Sequence, residues 1–378
     1  MTEFQAMLRD SLDKALARHY GFEQRQALRR ARTGFSQAAW RAYADLGLFA
    51  LSVPEERGGL GGSFADLGVV AEALGGALAL EPVLPGIVFG SRLIADAGSP
   101  AQRSALLPAL LAGECKAALA HDEPTTRYRL DRVESRAIRS GDGYRLNGGK
   151  CVSIGGGHAD LLVVSAHLDG HHDLSLFLVP AGARGVTRQA YLSFEGGGVA
   201  DVVLDDVQLD KDALLGPAHG GTALLGAAMA EMVALDCMDA IGAMRAAFAL
   251  THEHVRTRRQ FGATIGSFQV VQHRLVDMAT ALEMAAAIAG EALRLATHID
   301  PATRDRAVSA AKVRVAESAR FIGQQTVQLH GGMGLAEEYP AAHHFARLGM
   351  FMQRWGDSDH HLRRFAALME TDPEPRRA

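Results

Sequence analysis

The chain carries Arg258-Arg259-Gln260-Phe261-Gly262, then Ile265, Phe268 and Gln269, and farther on Gln328-Leu329-His330-Gly331-Gly332-Met333-Gly334. These stretches bring a guanidinium, side-chain amides and a pair of glycines into a part of the chain whose hydrophobic pattern is otherwise helical. An arginine fork pairs two phosphate oxygens at once, and adjacent glycines let backbone N–H groups approach an anion without steric hindrance. The pattern therefore predicts a site for a pyrophosphate and an adenine.

Two familiar phosphate-binding motifs do not describe this site. The spacing of the glycines is not that of the dinucleotide-binding fingerprint, and no strand pattern precedes them, as that motif requires. The sequence also contains no Gly-Lys-Ser/Thr phosphate loop.

The composition is that of an ordinary globular protein: 378 residues, 48% hydrophobic and 22% charged, with a net charge of -4. This length favours two or three domains, and the weak negative charge argues against a nucleic-acid partner. No apolar run reaches the roughly 18 residues of a membrane span, and the N-terminus has the pattern of an amphipathic helix rather than a signal peptide. The cysteines Cys115, Cys151 and Cys237 form no paired framework, so we expect a reducing, cytoplasmic location.

The hydrophobic periodicity divides the chain into three blocks. Residues 1–115 predict an N-terminal helical domain, residues 116–217 a domain of short strands, and residues 218–378 a domain of long helices. Segregated blocks of this kind indicate an α+β fold, and long helices with short connections indicate an antiparallel bundle.

Some elements are predicted in more detail. Ser99-Pro100 predicts a helix start, and Gly141-Asp142-Gly143 predicts a hairpin turn. Ala200–Leu204 and Val207–Leu209 predict separate strands, and Ala342–Leu368 predicts a single last helix.

The succession Arg-x-Gln-Phe-Gly, Ile-x-x-Phe-Gln and Gln-x-x-Gly-Gly-x-Gly resembles the acyl-CoA dehydrogenase family. The Trp40–Phe49 run and the Pro54–Gly62 segment resemble the N-terminal region of that family, so the resemblance covers nearly the whole chain. Within the family, the chain is similar to the small-subunit type, such as the small subunit of pimeloyl-CoA dehydrogenase and the subunits of steroid side-chain acyl-CoA dehydrogenases.

The resemblance implies an N-terminal helical domain, a central β-barrel domain and a C-terminal four-helix bundle. It implies α,β-dehydrogenation of an acyl-CoA thioester with FAD as hydride acceptor and an electron-transfer flavoprotein as electron acceptor. It also implies a tetramer, of like or unlike subunits, with FAD at the subunit interfaces. There, one chain holds the flavin ring and the substrate, and its neighbour holds the ADP half.

For the ADP half, the resemblance implies roles for Arg258, Gln260, Phe261, Gln269, Gln328, Gly331 and Gly332. Arg258 would pair with the pyrophosphate, while Phe261 and Gln269 would lie along the adenosine. Gln328 and the glycines would close over the phosphates and adenine. The alternative for Arg258 is a solvated side chain in the basic patch Arg256–Arg259, and the alternative for the glutamines is an amide on a helix surface.

The residues that would hold the flavin ring depart from the family pattern. Where the family has Thr-Glu-Pro-Gly-Ala-Gly-Ser-Asp, this chain has Asp122–Arg129, which keeps the Glu-Pro pair but places Arg127-Tyr128 where small residues let phosphate approach. Where the family has Lys-x-Trp-Ile-Thr/Ser, this chain has Lys150-Cys151-Val152-Ser153-Ile154, with valine at the tryptophan position and isoleucine at the hydroxyl position. Ser153 is one residue away, which in a strand is the opposite face.

The catalytic base also departs from the family pattern. Trp355 fills one glutamate position of the family, with Asp357 nearby, and the other position falls on Met232 beside Glu231. A neighbouring helical residue points about 100° away. Glu231 is therefore our candidate base if the helix start shifts, and Asp357 is the alternative.

Other polar residues are interpreted as structural. Asp236 and Asp239 are assigned to a polar helix face or to helix caps. The pairs His171-His172, His343-His344 and His360-His361 consist of adjacent residues, which face apart on a helix and chelate metals poorly. We therefore expect no metal site.

Three hypotheses follow. In the first, the chain holds the ADP half of FAD for a catalytic partner subunit in a heterotetramer. In the second, it is a self-sufficient homotetrameric dehydrogenase whose rebuilt ring site uses Ser153 and Glu231. In the third, it is a flavin-free structural or binding protein on the same fold, an idea opposed by the presence of Arg258 and Gln328.

Overall fold

The computed structural model describes residues 1–370, which divide into two compact units. The first unit contains residues 1–67 and 80–232, and the second contains residues 68–79 together with the chain from Val233 onward. Helices come first, an eight-stranded sheet follows, and helices return, which confirms the predicted α+β class. Within residues 1–370, no helix has both the length and the apolar character that crossing a membrane requires.

Three of the N-terminal helices begin after a Ser or Thr whose side chain accepts a hydrogen bond from the first turn: Thr2, Ser36 and Ser99. The N-terminal helices are α1 (Glu3–His19), α2 (Phe22–Arg30), α3 (Gln37–Asp45), α4 (Phe64–Gly76), α5 (Val83–Pro85), α6 (Leu93–Ala97) and α7 (Pro100–Leu111), with a π-helical segment at Gly86–Arg92 between α5 and α6. At α7, Ser99 accepts a hydrogen bond from the backbone of Gln102, whose side chain accepts one from Ser99 in return. The predicted helix start at Ser99-Pro100 is confirmed.

The sheet of the first unit has the strand order β6-β7-β3-β2-β4-β5-β8, with β1 pairing in parallel with β4. Its strands are β1 (Ala117–Ala120), β2 (Arg136–Ser140), β3 (Gly143–Ile154), β4 (Leu161–Leu168), β5 (Leu174–Pro180), β6 (Val186–Leu192), β7 (Gly198–Leu209) and β8 (Leu214–Leu215). The predicted hairpin is confirmed, since Ser140 pairs with Gly143. The two strands predicted within residues 200–209 are wrong: they form the single strand β7, which a bulge at Asp205-Asp206 interrupts but does not end.

The second unit is built on long helices. They are α8 (Gly221–Thr257, which starts in the first unit), α9 (Gln269–Leu295), α10 (Pro301–His330), α11 (Pro340–Phe351) and α12 (Ser358–Glu370). A short hairpin of β9 (Arg259–Gln260) and β10 (Ala263–Thr264) lies between α8 and α9. The single last helix predicted over Ala342–Leu368 is wrong, because the chain turns between α11 and α12, where Trp355 and Gly356 have φ of 57° and 109°.

A buried lysine explains this turn. The side chain of Lys312 on α10 is fully buried, and its ammonium donates to the carbonyls of Phe351 at 2.7 Å and Arg354 at 2.9 Å. It also donates to the carboxylate of Asp236 on α8 at 3.1 Å. Because the two carbonyls already accept from Lys312, the chain leaves the helix without leaving them unsatisfied.

A second buried ion pair lies in the same unit. The guanidinium of Arg347 on α11 donates to both carboxylate oxygens of Asp239 on α8, at 2.9 and 2.5 Å, and to the carbonyl of Ala79 at 3.1 Å. Burial raises the pKa of Asp239, and Arg347 opposes that rise. The assignment of Asp236 and Asp239 to a polar face or to caps is therefore wrong, since both are buried partners of cations.

Removing one charge from the buried pair tests its contribution. We expect Asp239→Asn to lower the free energy of unfolding by about 3–5 kcal/mol, because it leaves the Arg347 guanidinium buried without its counter-charge. Urea unfolding followed by circular dichroism measures this change. In the matched control, Glu291→Gln breaks the exposed pair with Arg294 and leaves the midpoint unchanged. Equal midpoints for the two variants would contradict the expectation.

Candidate functional site

The first sequence stretch forms a tight hairpin directly after α8. Gln260 pairs with Ala263, and the two residues between them, Phe261 and Gly262, have φ of 53° and 81°. Two left-handed central residues define a type I′ turn, the form that matches the twist of a hairpin. The backbone of Arg258 is held on both sides, since its N–H donates to the carbonyl of His254 and its carbonyl accepts from Ile265, each at 2.9 Å.

The ring of Phe261 lies at the tip of this hairpin with 91% of its surface exposed. A phenylalanine with positive φ is strained as well as exposed, because its Cβ crowds the backbone in that conformation. Its described ring neighbour is Phe268, whose centroid lies 6.2 Å away. Packing within this chain therefore does not account for a phenylalanine at this position.

The second sequence stretch forms the end of α10. Gly331 caps this helix with φ 63° and ψ −144°, a conformation open essentially to glycine alone. Gly332 has no such restriction, and a Cβ added to it would meet no atom within 4 Å. Both glycines are exposed, so the turn presents open backbone to the surroundings.

An open groove of about 450 Å³ joins the two stretches. It is lined by Phe261, Ile265, Phe268, Val270, Val271, Gln328 and Leu329. The structure therefore brings Phe261 and Gln328 to one groove, and Gln269 stands at the start of α9 between two of its lining residues. All the residues assigned to the ADP half are exposed: Arg258, Gln260, Phe261, Gln269, Gln328, Gly331 and Gly332.

A pair of stacked histidines connects the hairpin after α8 to the turn at the end of α10. The sequence alone did not indicate this pair. The rings of His254 on α8 and His330 on α10 stack with their centroids 4.3 Å apart. His254 precedes Arg258 by about one helical turn, and His330 directly precedes Gly331. No local pattern could reveal this contact, because it joins residues of different helices.

The sheet of the first unit contains the residues that match the ring side of the family's site. The carboxylate of Glu123 accepts hydrogen bonds from the Lys150 ammonium at 2.7 Å, from the Ser135 hydroxyl at 2.6 Å and from the backbone N–H groups of Glu134 and Ser135. Glu123 and Lys150 are buried, and burial lowers the pKa of Lys150 to about 8. Both family-like residues therefore hold the loop before β2 against β3.

In the loop that carries Arg127 and Tyr128, both residues have positive φ, although neither is a glycine. These residues have φ of 26° and 59°, and the guanidinium carbon of Arg127 lies 5.4 Å from the centre of the Tyr128 ring. Left-handed backbone at bulky residues is unfavourable. The bend that glycines would provide is present, but it carries two large side chains.

On β3, the hydroxyl of Ser153 does not stand at the position where the family has a hydroxyl. The Ser153 hydroxyl is buried and donates to the carbonyl of Leu119 at 2.6 Å, so it serves the sheet. Val152, in the family's tryptophan position, lies in a bulge of β3 with φ 52° and is exposed. An aliphatic side chain here can contact a ring, but it cannot donate a hydrogen bond to one.

The carboxylate of Glu231 on α8 forms a two-pronged ion pair with Arg92. Its oxygens lie 2.6 and 2.8 Å from the guanidinium nitrogens, and both side chains are 14% exposed. Arg92 ends the π-helical segment and also donates to the Ser52 carbonyl at 2.9 Å. Both oxygens of this carboxylate are therefore occupied by Arg92 rather than presented to a substrate.

The alternative carboxylate, Asp357, serves a helix start. Its side chain accepts from the backbone N–H of His360 at 2.8 Å, which caps the first turn of α12. Among residues 1–370, no group of three or more His, Cys, Asp and Glu side chains is arranged to hold a metal ion.

Comparison with known proteins identifies the three domains of the chain. Models of the acyl-CoA dehydrogenase N-terminal, middle and C-terminal domains match residues 2–114, 118–207 and 219–369. The mitochondrial long-chain specific acyl-CoA dehydrogenase of Rattus norvegicus is 31% identical over 323 residues, which is 81% of this chain and 73% of that protein.

Solved structures of the same fold include two named for pairs of proteins. A chain of the ChsE4-ChsE5 complex from Mycobacterium tuberculosis matches with a TM-score of 0.90 and 26% identity, covering 99% of this chain and 99% of that chain. A chain of the Tcur3481-Tcur3483 steroid ACAD matches with a TM-score of 0.88 and 26% identity, covering 97% of this chain and 98% of that chain. From the domain models and these relatives, we conclude that the chain belongs to the acyl-CoA dehydrogenase family, a family of FAD-dependent oxidoreductases.

Proposed function

We propose that this chain is a subunit of a heterotetrameric acyl-CoA dehydrogenase and holds the ADP half of FAD for a catalytic partner chain. The observation that carries the proposal is the exposed surface of the second unit, where Phe261 and Gln328 line one groove and the other residues assigned to the ADP half are exposed. When bound, FAD supplies the hydride acceptor for α,β-dehydrogenation of an acyl-CoA thioester.

The chemistry of this surface suits a dinucleotide. Arg258 supplies a charged fork for the pyrophosphate, and the backbone at Gly332 is open to an approaching phosphate or base. The apolar groove beside Gln328 suits the flat faces of an adenine, with the amide available for its polar edge. The packing of the chain does not require a glycine at position 332, since a Cβ there would meet no atom within 4 Å.

On the sheet side, the residues that match the family pattern for the flavin ring have partners within the chain. Its family-like residues Glu123 and Lys150 bond to each other, the Ser153 hydroxyl bonds to the sheet, and Arg127-Tyr128 occupies the glycine loop. The candidate base Glu231 is held by Arg92. These contacts support a division in which the partner chain contributes the ring site and the base.

Relatives support the choice of an unlike partner. The ChsE4-ChsE5 and Tcur3481-Tcur3483 structures are each named for two proteins, and each includes a chain similar to this one over nearly its full length. The proposal also includes an electron-transfer flavoprotein as electron acceptor and a cytoplasmic location, as expected from the family resemblance and from the unpaired cysteines.

Flavin content tests the proposal directly. We expect the chain purified alone to contain almost no flavin by visible absorbance, and its complex with a partner dehydrogenase subunit to contain about half as many flavins as chains. Arg258→Ala should weaken FAD binding by the complex about 10- to 100-fold, the effect of losing a charged hydrogen bond.

The control for this experiment is Arg256→Ala, which removes an exposed arginine of the same basic patch and should leave FAD binding unchanged. One flavin for every chain in the protein purified alone would refute the division of labour and favour the homotetramer. No flavin under either condition would favour the flavin-free alternative.

Substitution of Gly332 distinguishes an effect on FAD binding from an effect on the stability of the fold. Because a Cβ at this position meets no atom of the chain, we expect Gly332→Val to change the free energy of unfolding by less than about 0.5 kcal/mol. The same variant should reduce retention of FAD by the complex, measured by absorbance after gel filtration. The matched control is Gly290→Val on α9, another exposed glycine with open space around it. Loss of flavin from both variants would remove the argument for backbone contact at Gly332.

Glu231 distinguishes the proposal from the self-sufficient dehydrogenase. We expect Glu231→Gln and Arg92→Gln to behave alike, with little change in the rate at which acyl-CoA thioesters reduce the flavin of the complex, because both break the same ion pair. If Glu231 were the base, only Glu231→Gln would slow this step, by about 10²- to 10⁴-fold. Stopped-flow absorbance at the flavin band measures both variants.

A further inference from the structure

The stacked rings of His254 and His330 lie beneath the surface assigned to the ADP half. His254 belongs to the last turn of α8, and His330 is the final residue of α10. Their centroids are 4.3 Å apart with an angle of 27° between the rings, and the ring of Tyr339 packs 5.2 Å from that of His330. The pair therefore connects the helix end before Arg258 to the turn at Gly331.

The hydrogen bonds of His330 keep this ring neutral. Its Nδ1 lies 2.7 Å from the Thr326 carbonyl, and a carbonyl only accepts, so Nδ1 carries the hydrogen and Nε2 is left with a lone pair. Nε2 is buried, and within the part of the chain that the structure describes it has no hydrogen-bond partner. A proton placed there would have no acceptor, and burial accordingly lowers the pKa of His330.

His254 is the partner able to change its charge. Its ring is partly exposed, and its charged and titratable neighbours are His330 at the end of α10 and Arg258 directly after α8; the ring of Tyr339 packs against His330. Burial, then His330 and the Arg258 guanidinium, lower the pKa of His254. In the free chain, His254 is therefore neutral at neutral pH.

We propose that His254 is a second, proton-linked cation of this site, which takes up a proton when a diphosphate binds at Arg258. This inference rests on the proposed function. The N–H of Arg258 donates to the carbonyl of His254, so the two residues are one helical turn apart and share a face. Burial is the main cause of the lowered pKa of His254, but a diphosphate on Arg258 removes the contribution of the guanidinium and adds two negative charges close to the ring. The neutral ring of His330 provides an aromatic face for the imidazolium.

The direction of the pH dependence follows from linkage. The pKa of His254 is higher when the diphosphate is bound than in the free chain. Affinity for the diphosphate therefore rises as the pH falls through the pKa of the bound state, and it levels off below the pKa of the free chain. Above the pKa of the bound state, affinity does not depend on this group.

ADP-ribose is the probe for the first experiment, because it lacks the flavin ring and its diphosphate diester keeps a constant charge across this range. We expect the full chain to bind ADP-ribose about three- to tenfold more tightly at about pH 6 than at about pH 8, which corresponds to a pKa rise of up to roughly one unit. Calorimetry in buffers of different ionisation enthalpy should show net proton uptake. FAD, measured with the partner complex, should follow the same profile.

Variants identify the titrating group. His254→Phe keeps a stacking ring and His254→Gln keeps a polar side chain, and both should abolish the pH dependence. His252→Phe alters an exposed histidine of the same helix and should preserve it. Affinity that does not vary with pH in the unmodified chain, or a dependence that persists in His254→Phe, would overturn the inference and leave the proposed function standing. Failure of both ADP-ribose and FAD to bind at any pH, alone or in the complex, would overturn both.

Discussion

The ammonium of Lys312 lies in the interior of the helical unit, where water cannot replace its hydrogen bonds without opening that interior. Its partners lie on α8, at the last residue of α11 and on the segment that follows, and the Asp239–Arg347 pair also joins α8 to α11. Buried charges of this kind tolerate little displacement, because each must keep its counter-charge. A slip of one helix by a turn, about 5.4 Å, would leave several of them unpaired. The registry of α8 and α10 is therefore set far from the helix ends that present Arg258 and Gly331.

Family-like residues serve different purposes in the two units. In the sheet, Glu123 and Lys150 have a structural role, since they form an ion pair with each other and anchor a loop. In the helical unit, Phe261 and Gly332 have no comparable structural role. The ring of Phe261 is exposed, and a Cβ at Gly332 would meet no atom within 4 Å. A residue that its own fold does not require indicates a contact outside that fold. This criterion supports the proposed function, in which the helical unit supplies the binding surface and the sheet supplies structural support.

Local patterns were sufficient for much of the fold. Period and composition predicted the α+β order, the start of α7 and the β2–β3 hairpin, because each depends on residues close in sequence. The residues of the candidate surface were identified from spacing and from family resemblance. Their common exposure and the groove beside Gln328 became visible only in the structure.

The errors and omissions arise from partners distant in sequence. The break between α11 and α12 depends on Lys312, and the burial of Asp236 and Asp239 depends on cations from other helices. The Arg92–Glu231 pair and the His254–His330 stack are likewise invisible to periodicity, because each joins separate elements. In β7, Asp205-Asp206 has the composition of a turn, but the Asn147 side chain accepts from the Asp206 backbone and the strand continues.

The exposed ring of Phe261 at the hairpin tip makes the unassembled chain prone to aggregation. An apolar group on a strained, protruding turn is a site at which unassembled chains adhere to one another or to chaperones. Under the proposed function, the partner chain covers this ring, so the yield of usable protein depends on how much of the partner is made at the same time. Synthesis of this polypeptide in excess of its assembly partner would then produce aggregates or substrates for proteolysis rather than a reserve of active subunits.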